Sequence, residues 1–219
     1  MGAPVRQTME DALANKEVEV HARQARRTEL IDIAVKVVAE RGLSEASFRT
    51  IAAEAGTSTT AFTYEFGNRD ALLTAIVERS FEVGWERKGF DRDDDAEDPL
   101  GKLRQATWAG IQADREIDPW VRTYDRFVFE FDFQPGVSDR LKELDLRMLE
   151  RHERLIDLAR EQGQIDPGIP SQDVLFMLWS FGDGLNIHRY AYPDELDAAR
   201  IEQLYQEGFD RILGVRVTD

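Results

Sequence analysis

Apolar residues recur with a helical period along most of this chain and almost nowhere alternate as a half-buried strand would. Leu30, Ile33, Ala34, Val37 and Val38 form one stripe that stops at Gly42. Phe48, Ile51, Ala52 and Ala55 keep the i, i+3, i+4, i+7 spacing of a short helix. Ser47 can cap its start, and Gly56 supplies the left-handed position that ends it. Ser58 offers a second cap two residues later, so another helix begins almost at once, with Phe62 and Phe66 as its buried pair. Asn68 caps the next, in which Leu72, Leu73, Ile76 and Phe81 carry the stripe to about Lys88. Beyond it, periodic stretches run over 99–117, 120–133, 138–162, 171–189 and 194–213, divided by proline and glycine. The pattern predicts an all-α chain: an N-terminal three-helix domain containing a helix-turn-helix, then a C-terminal helical domain.

A helix-turn-helix presents the first residues of its second helix to base edges in the DNA major groove. Here those residues are Thr59, Thr60 and Thr63, with Tyr64 beside them. Small hydroxyls and one phenol suit phosphate oxygens, base edges and thymine methyls.

From Arg27 to Leu73 the chain carries Gly42, Ser47, Arg49, Ile51 and Ala52, then Ala55 to Ser58, Phe66, Arg69, Asp70 and Leu72, without insertion. This run resembles the DNA-binding domain of the tetracycline-repressor (TetR) family of bacterial regulators. The resemblance implies a homodimeric, ligand-responsive transcriptional regulator, a repressor, bound to a palindromic double-stranded operator and released by a small-molecule effector. It places DNA contacts at Ser47, Arg49, Ser58, Thr59, Thr60, Thr63, Tyr64 and Arg69. Two positions depart from the family pattern. Thr63 stands where a Tyr is frequent, and Glu65 where His or Tyr is common. A carboxylate repels phosphate, so Glu65 is expected either to turn away, toward Arg69, or to weaken contact with the backbone.

The formal charge of −15 opposes DNA binding on average, but it is unevenly placed. Residues 21–70 balance seven basic side chains against seven acidic ones, so nearly all the excess acid lies outside the expected reading head. Arg23, Arg26 and Arg27 sit where an arm can reach phosphates or the minor groove, and Arg26 and Arg27 count among the expected contacts. Residues 1–27 are read as an arm or an extra helix, 28–73 as the DNA-binding domain and 74–219 as the effector-binding and dimerisation domain. Zero cysteines exclude disulfides and thiolate metal sites. With no apolar run of membrane-spanning length and no secretory signal, the expectation is a cytoplasmic protein without a membrane partner.

Three further stretches carry chemistry. The acidic run 91–98 spells Asp-Asp-x-x-Asp at Asp94, Asp95 and Asp98, which suggests an alternative: an all-α magnesium enzyme acting on a prenyl diphosphate. A solvated linker is the favoured reading, because charge blocks usually stay in water and Pro99 follows directly. The aromatic residues Trp108, Trp120, Tyr124, Phe127, Phe131 and Trp179 are candidates to line an apolar or amphipathic effector pocket. The stretch 174–187 is apolar on nearly every face and must be covered on both sides. With the stripe of 194–213 it predicts a four-helix dimer interface through Leu178, Phe181, Leu185, Leu204, Tyr205, Phe209 and Leu213. His21, His152 and His188 are far apart and lack metal-ligand spacing, and His152 reads as a satisfied core histidine. No catalytic residue, cofactor or metal is assigned.

Overall fold

A computed structural model of the chain describes residues 3–90, 95–112, 118–129 and 135–216. Its helices are α1 (Ala3–Arg41), α2 (Phe48–Glu54), α3 (Thr59–Phe66), α4 (Arg69–Arg87), α5 (Pro99–Gln112), α6 (Pro119–Phe129), α7 (Pro135–Glu161), α8 (Ser171–Ala191) and α9 (Ala198–Leu213). A single 3-10 turn, Leu43–Glu45, joins α1 to α2. Among the described residues the only strand-like pairing is one antiparallel bridge, Ile165 with Val215. The all-α prediction holds, and each predicted stretch contains a helix; the predicted positions 113–117 and 130–133 lie outside the described residues.

The N-terminal segment is neither a loose arm nor a separate helix, because α1 continues through residue 27 without a break. Between Val5 and Arg41 the sequence has no glycine or proline to interrupt it. At 1.5 Å per residue, its 39 residues make a rod roughly 58 Å long. Within its described side chains, Leu30, Ile31, Ala34, Val35, Val37 and Val38 are buried, whereas Val18 and Val20 stand exposed.

Two apolar cores follow. The first gathers α1, α2, α3 and the start of α4 around Ile51, Phe62, Leu72 and Ile76, and it continues into Phe127, Val137 and Leu144 of α6 and α7. Buried Thr123 of α6 donates to the Val35 carbonyl of α1 at 3.0 Å. A boundary at residue 73 therefore falls inside both a helix and a core, and Ala75, Ile76 and Val77 still belong to the head's packing. The second core joins α5, α7, α8 and α9 through Leu103, Leu155, Ile156, Leu175, Tyr205 and Phe209.

The acidic run is not simply a solvated linker. Residues 91–94 lie outside the described part, but Asp95 is 3% exposed and paired with Arg151 of α7 at 2.8 Å. Asp98 accepts from the Gly101 backbone N–H at 3.0 Å and caps α5. The reason is the arginine row of α7, which sequence spacing could not place opposite this loop. Carboxylates already engaged by Arg151 and by a helix start are poorly disposed to hold magnesium.

His152 is fully buried, with the ring edges of Phe90 and Trp179 against it at 4.9 and 5.6 Å between centroids. Burial, then the nearby Lys88 charge, push its pKa down to about 3, against a modest opposing effect of the Met148 carbonyl. The unfolded chain therefore takes up a proton below about pH 6.5 that the folded chain refuses, so stability falls as pH falls through that window. At 1.36 kcal/mol per unit, His152 alone should remove up to about 2 kcal/mol between pH 7 and pH 5. Urea titrations at the two pH values are expected to show a smaller loss for His152→Leu than for the parent chain.

Candidate nucleic-acid interface

The head is built by three side-chain caps. Ser47 Oγ accepts from the Thr50 N–H at 3.1 Å, Ser58 Oγ from Ala61 at 3.2 Å and Asn68 Oδ1 from Ala71 at 2.9 Å, each opening a helix. Between α2 and α3 the chain reverses at Gly56, whose φ of 61° is the left-handed region where a side chain would be strained. Phe62 fixes the angle of α3 by packing between Phe48 and Phe66, with centroids at 6.0 and 5.6 Å. The apolar side of α3 is thus consumed, and Thr59, Thr60, Thr63 and Tyr64 face outward, Tyr64 with 78% exposure. This is the surface that the helix-turn-helix reading requires.

Individual side chains divide by what already holds them. Thr63 donates its hydroxyl to the Thr59 carbonyl at 3.0 Å, leaving its methyl and an acceptor lone pair for a base edge. Ser58 uses a lone pair as cap, so its O–H is still available to a phosphate. Ser47 is half-buried and also bonded to Thr50 Oγ1 at 2.8 Å, which makes it a structural cap. Arg49 is exposed in the first turn of α2. Arg69 donates to the Leu43 carbonyl at 2.7 Å and pins the 3-10 turn to the start of α4, so part of its guanidinium is spent on the head itself. Arg26 pairs with Glu29 at 3.1 Å.

Glu65 turns away from solvent, but toward α1 and not toward Arg69. Its carboxylate lies 3.5 Å from Arg23 and 3.9 Å from Arg27, with its side chain only 13% exposed. Arg27 also lies over the Phe66 ring at 4.5 Å, and Arg23 over Tyr64 at 5.6 Å. Arg23 therefore joins the candidate surface. Its spacing four residues before Arg27 puts both on one face of α1, the signal that marks it.

The expected effector residues do not form one cluster. Tyr124 and Phe127 border a cavity of about 10 Å³ under α4, α6 and α7, with room for about one water. Tyr124 donates there to Asp145 at 3.0 Å, and burial raises the Asp145 pKa despite that bond. Trp120 packs against the first core, with Arg79 over its ring at 5.7 Å. Trp108 and Trp179 instead belong to the second core, Trp108 stacked on Tyr205 at 4.7 Å. Phe131 lies outside the described residues.

The predicted dimer residues are largely consumed by the chain's own core. Leu178, Leu185, Tyr205, Phe209 and Leu213 are each at most 8% exposed, and a methyl at Gly208 would overlap the Phe181 ring. Leu204 is partly exposed. The amphipathic period of α9 marks an apolar face but not which body covers it. On α8 the uncovered side carries Phe176, Met177 and Ile187, at 48%, 48% and 56% exposure.

The family model described as bacterial regulatory proteins, tetR family, matches residues 30–76, the span from the packed half of α1 into α4. Over that span the chain is similar to the tetR family. It is 29% identical over 127 residues to the transcriptional regulator BetI of Paraburkholderia phytofirmans, a match covering 58% of this chain and 65%, just under two thirds, of that relative. The fold recurs in a putative transcriptional regulator from Saccharomonospora viridis solved with choline, with TM-score 0.70, 18% identity, and coverage of 86% of this chain and 96% of that one. It recurs also in AibR solved with isovaleryl coenzyme A and operator DNA, with TM-score 0.66, 17% identity, and coverage of 87% and 100%. The similarity to regulatory proteins thus lies in the head, and the likeness to solved structures in the fold.

Because Glu65 holds Arg23 and Arg27, Glu65→Gln should release two cations beside Tyr64. Anisotropy titrations should then show tighter binding to any duplex, with the salt slope steeper by about 0.9 for each additional phosphate that the freed arginines neutralise. Thr60→Ala should instead cost roughly 1–3 kcal/mol chiefly on the operator.

Proposed function

We propose that the chain is a ligand-responsive repressor that binds a palindromic operator as a homodimer and is released by a small effector lodged in the body. The observation that carries this reading is the position of α4. Its first turns are buried in the head, while its last turn ends among the aromatics of the body, so both ends are tied to packed cores. A ligand that favours one placement of that last turn biases the head, and such coupling is typically worth about 1–3 kcal/mol. The neighbours solved with choline, or with isovaleryl coenzyme A and operator DNA, support this division of labour.

Thr59, Thr60, Thr63 and Tyr64 read bases in this scheme. Ser58, Arg49, Arg23 and the remaining donors of Arg69 hold phosphates, while Arg26 and Arg27 contribute field more than contact. A short recognition helix touches few base pairs, so two heads must sit about 34–36 Å apart, or a multiple of that, on a two-fold site. The second copy is proposed to cover the exposed side of α8. The chain binds and does not catalyse, and it works in the cytoplasm with its duplex; none of the described helices is long and apolar enough to cross a membrane.

Selection of bound fragments from genomic DNA by the full chain should return a shared inverted repeat, and an enriched pool without one would reject the homodimer reading. Met177→Lys with Ile187→Glu should give folded monomers in light scattering with much weaker operator binding. Phe209→Asp, by contrast, should unfold the chain, because that ring is fully enclosed by its own body.

A further inference from the structure

Where α4 ends, the body encloses an unusual set of polar groups. Lys88, the C-cap of α4, reaches inward, and its ammonium donates to the Ala106 carbonyl of α5 at 2.7 Å. A Cβ at Gly110 would lie 3.6 Å from that nitrogen, and the Gly110 carbonyl accepts from Asn186 Nδ2 of α8 at 3.4 Å. His152 of α7 stands close enough to feel the Lys88 charge. Trp85, Phe90 and Trp179 wall the same region, Trp85 and Phe90 at 5.1 Å between rings.

The bonding capacity of this cluster is incompletely used. An ammonium has three donors, of which the Ala106 carbonyl takes one. His152 Nδ1 bonds the Met148 carbonyl at 2.8 Å, which places its proton there and leaves Nε2 as an acceptor. Nε2 and Asn186 Oδ1 are both buried without a partner, in residues 0% and 1% exposed. Buried polar atoms are costly in this condition, and a buried cation more so. The countercharge that acts on Lys88 is Asp183, whose own side chain is solvent-exposed.

We propose that this cluster is the effector's polar anchor and that it selects an organic acid, a carboxylate on a compact apolar body. The carboxylate takes the unused donors of Lys88, and a hydroxyl on the same molecule donates to His152 Nε2 or Asn186 Oδ1. The aromatic wall accepts the apolar body. A quaternary ammonium is excluded by the ammonium already at the centre, so this chain differs in ligand class from its choline-bound structural neighbour. The inference rests on the ligand-responsive reading above and names the chemistry of that site.

Burial lowers the Lys88 pKa to about 8, partly offset by Asp183, while His152, held down to about 3, stays neutral throughout that range. An acid held by the charged form should therefore bind about tenfold more weakly per pH unit once pH passes about 8. The test titrates the full chain with phenylacetate, 3-phenyllactate and phenyltrimethylammonium, following tryptophan fluorescence and melting temperature. Both acids should bind, 3-phenyllactate more tightly, and the cation should not. Lys88→Met should melt no lower than the parent, because it removes a buried charge, yet bind both acids at least tenfold more weakly. Asn186→Leu should erase the advantage of 3-phenyllactate over phenylacetate if the hydroxyl sits there, and His152→Leu if it sits on the imidazole. The proposal is overturned if neither acid binds, if the cation binds as well as they do, or if Lys88→Met leaves acid affinity unchanged. Operator retention by the unliganded chain tests the regulator reading separately and would survive each of those results.

Discussion

Helix α4 is packed at its two ends by different cores, and both halves of the molecule take their positions from it. Leu72 and Ile76 are fully buried in the head, and the helix closes on Lys88 with Phe90 just beyond it in the body. Arg69 at its start holds the Leu43 carbonyl, so the turn before α2 is fixed to the same rod. A packed helix tends to move as a unit, so α4 offers a rigid link between Lys88 and the head. In the proposed scheme, chemistry at the end of α4 and geometry at the recognition helix are parts of one equilibrium.

Charge is managed by pairing as well as by distribution. A chain of −15 that meets DNA must keep its acid away from the duplex or neutralise it in place. Glu65, the acid nearest the reading surface, is neutralised between Arg23 and Arg27. Such exposed or partly exposed pairs are worth only about 0.2–1 kcal/mol each, so their importance is electrostatic placement more than stability. Asp95 represents the other use of acid: enclosed with Arg151, it ties the loop after α4 to α7, and Arg151 in turn lies over the Phe90 ring at 5.7 Å.

The two faces of α8 differ in what covers them. Val174, Leu175, Leu178 and Leu185 fill the chain's own core, while Phe176, Met177 and Ile187 remain open on the opposite side. Gly208 on α9 lets the Phe181 ring lie against that helix, so α8 and α9 pack closely within one chain.

Residue order and spacing were enough to define the local features: the caps at Ser47, Ser58 and Asn68, the reversal at Gly56, the buried faces of α2 and α3, and the outward set Thr59, Thr60, Thr63 and Tyr64. These follow from periodicity and from bonds between residues two to four apart, which spacing encodes directly. Whatever depends on which helix lies opposite which had to wait for the packed molecule. Packing gave Glu65 to α1 instead of Arg69, enclosed Asp95, turned Leu178, Tyr205, Phe209 and Leu213 into private core, and separated Tyr124 and Phe127 from Trp108 and Trp179. Lys88, His152 and Asn186 come from three helices and share no motif, and they meet only because α7 packs against α4, α5 and α8. A one-dimensional pattern specifies that a side chain must be covered; the packing of helices against one another specifies by what.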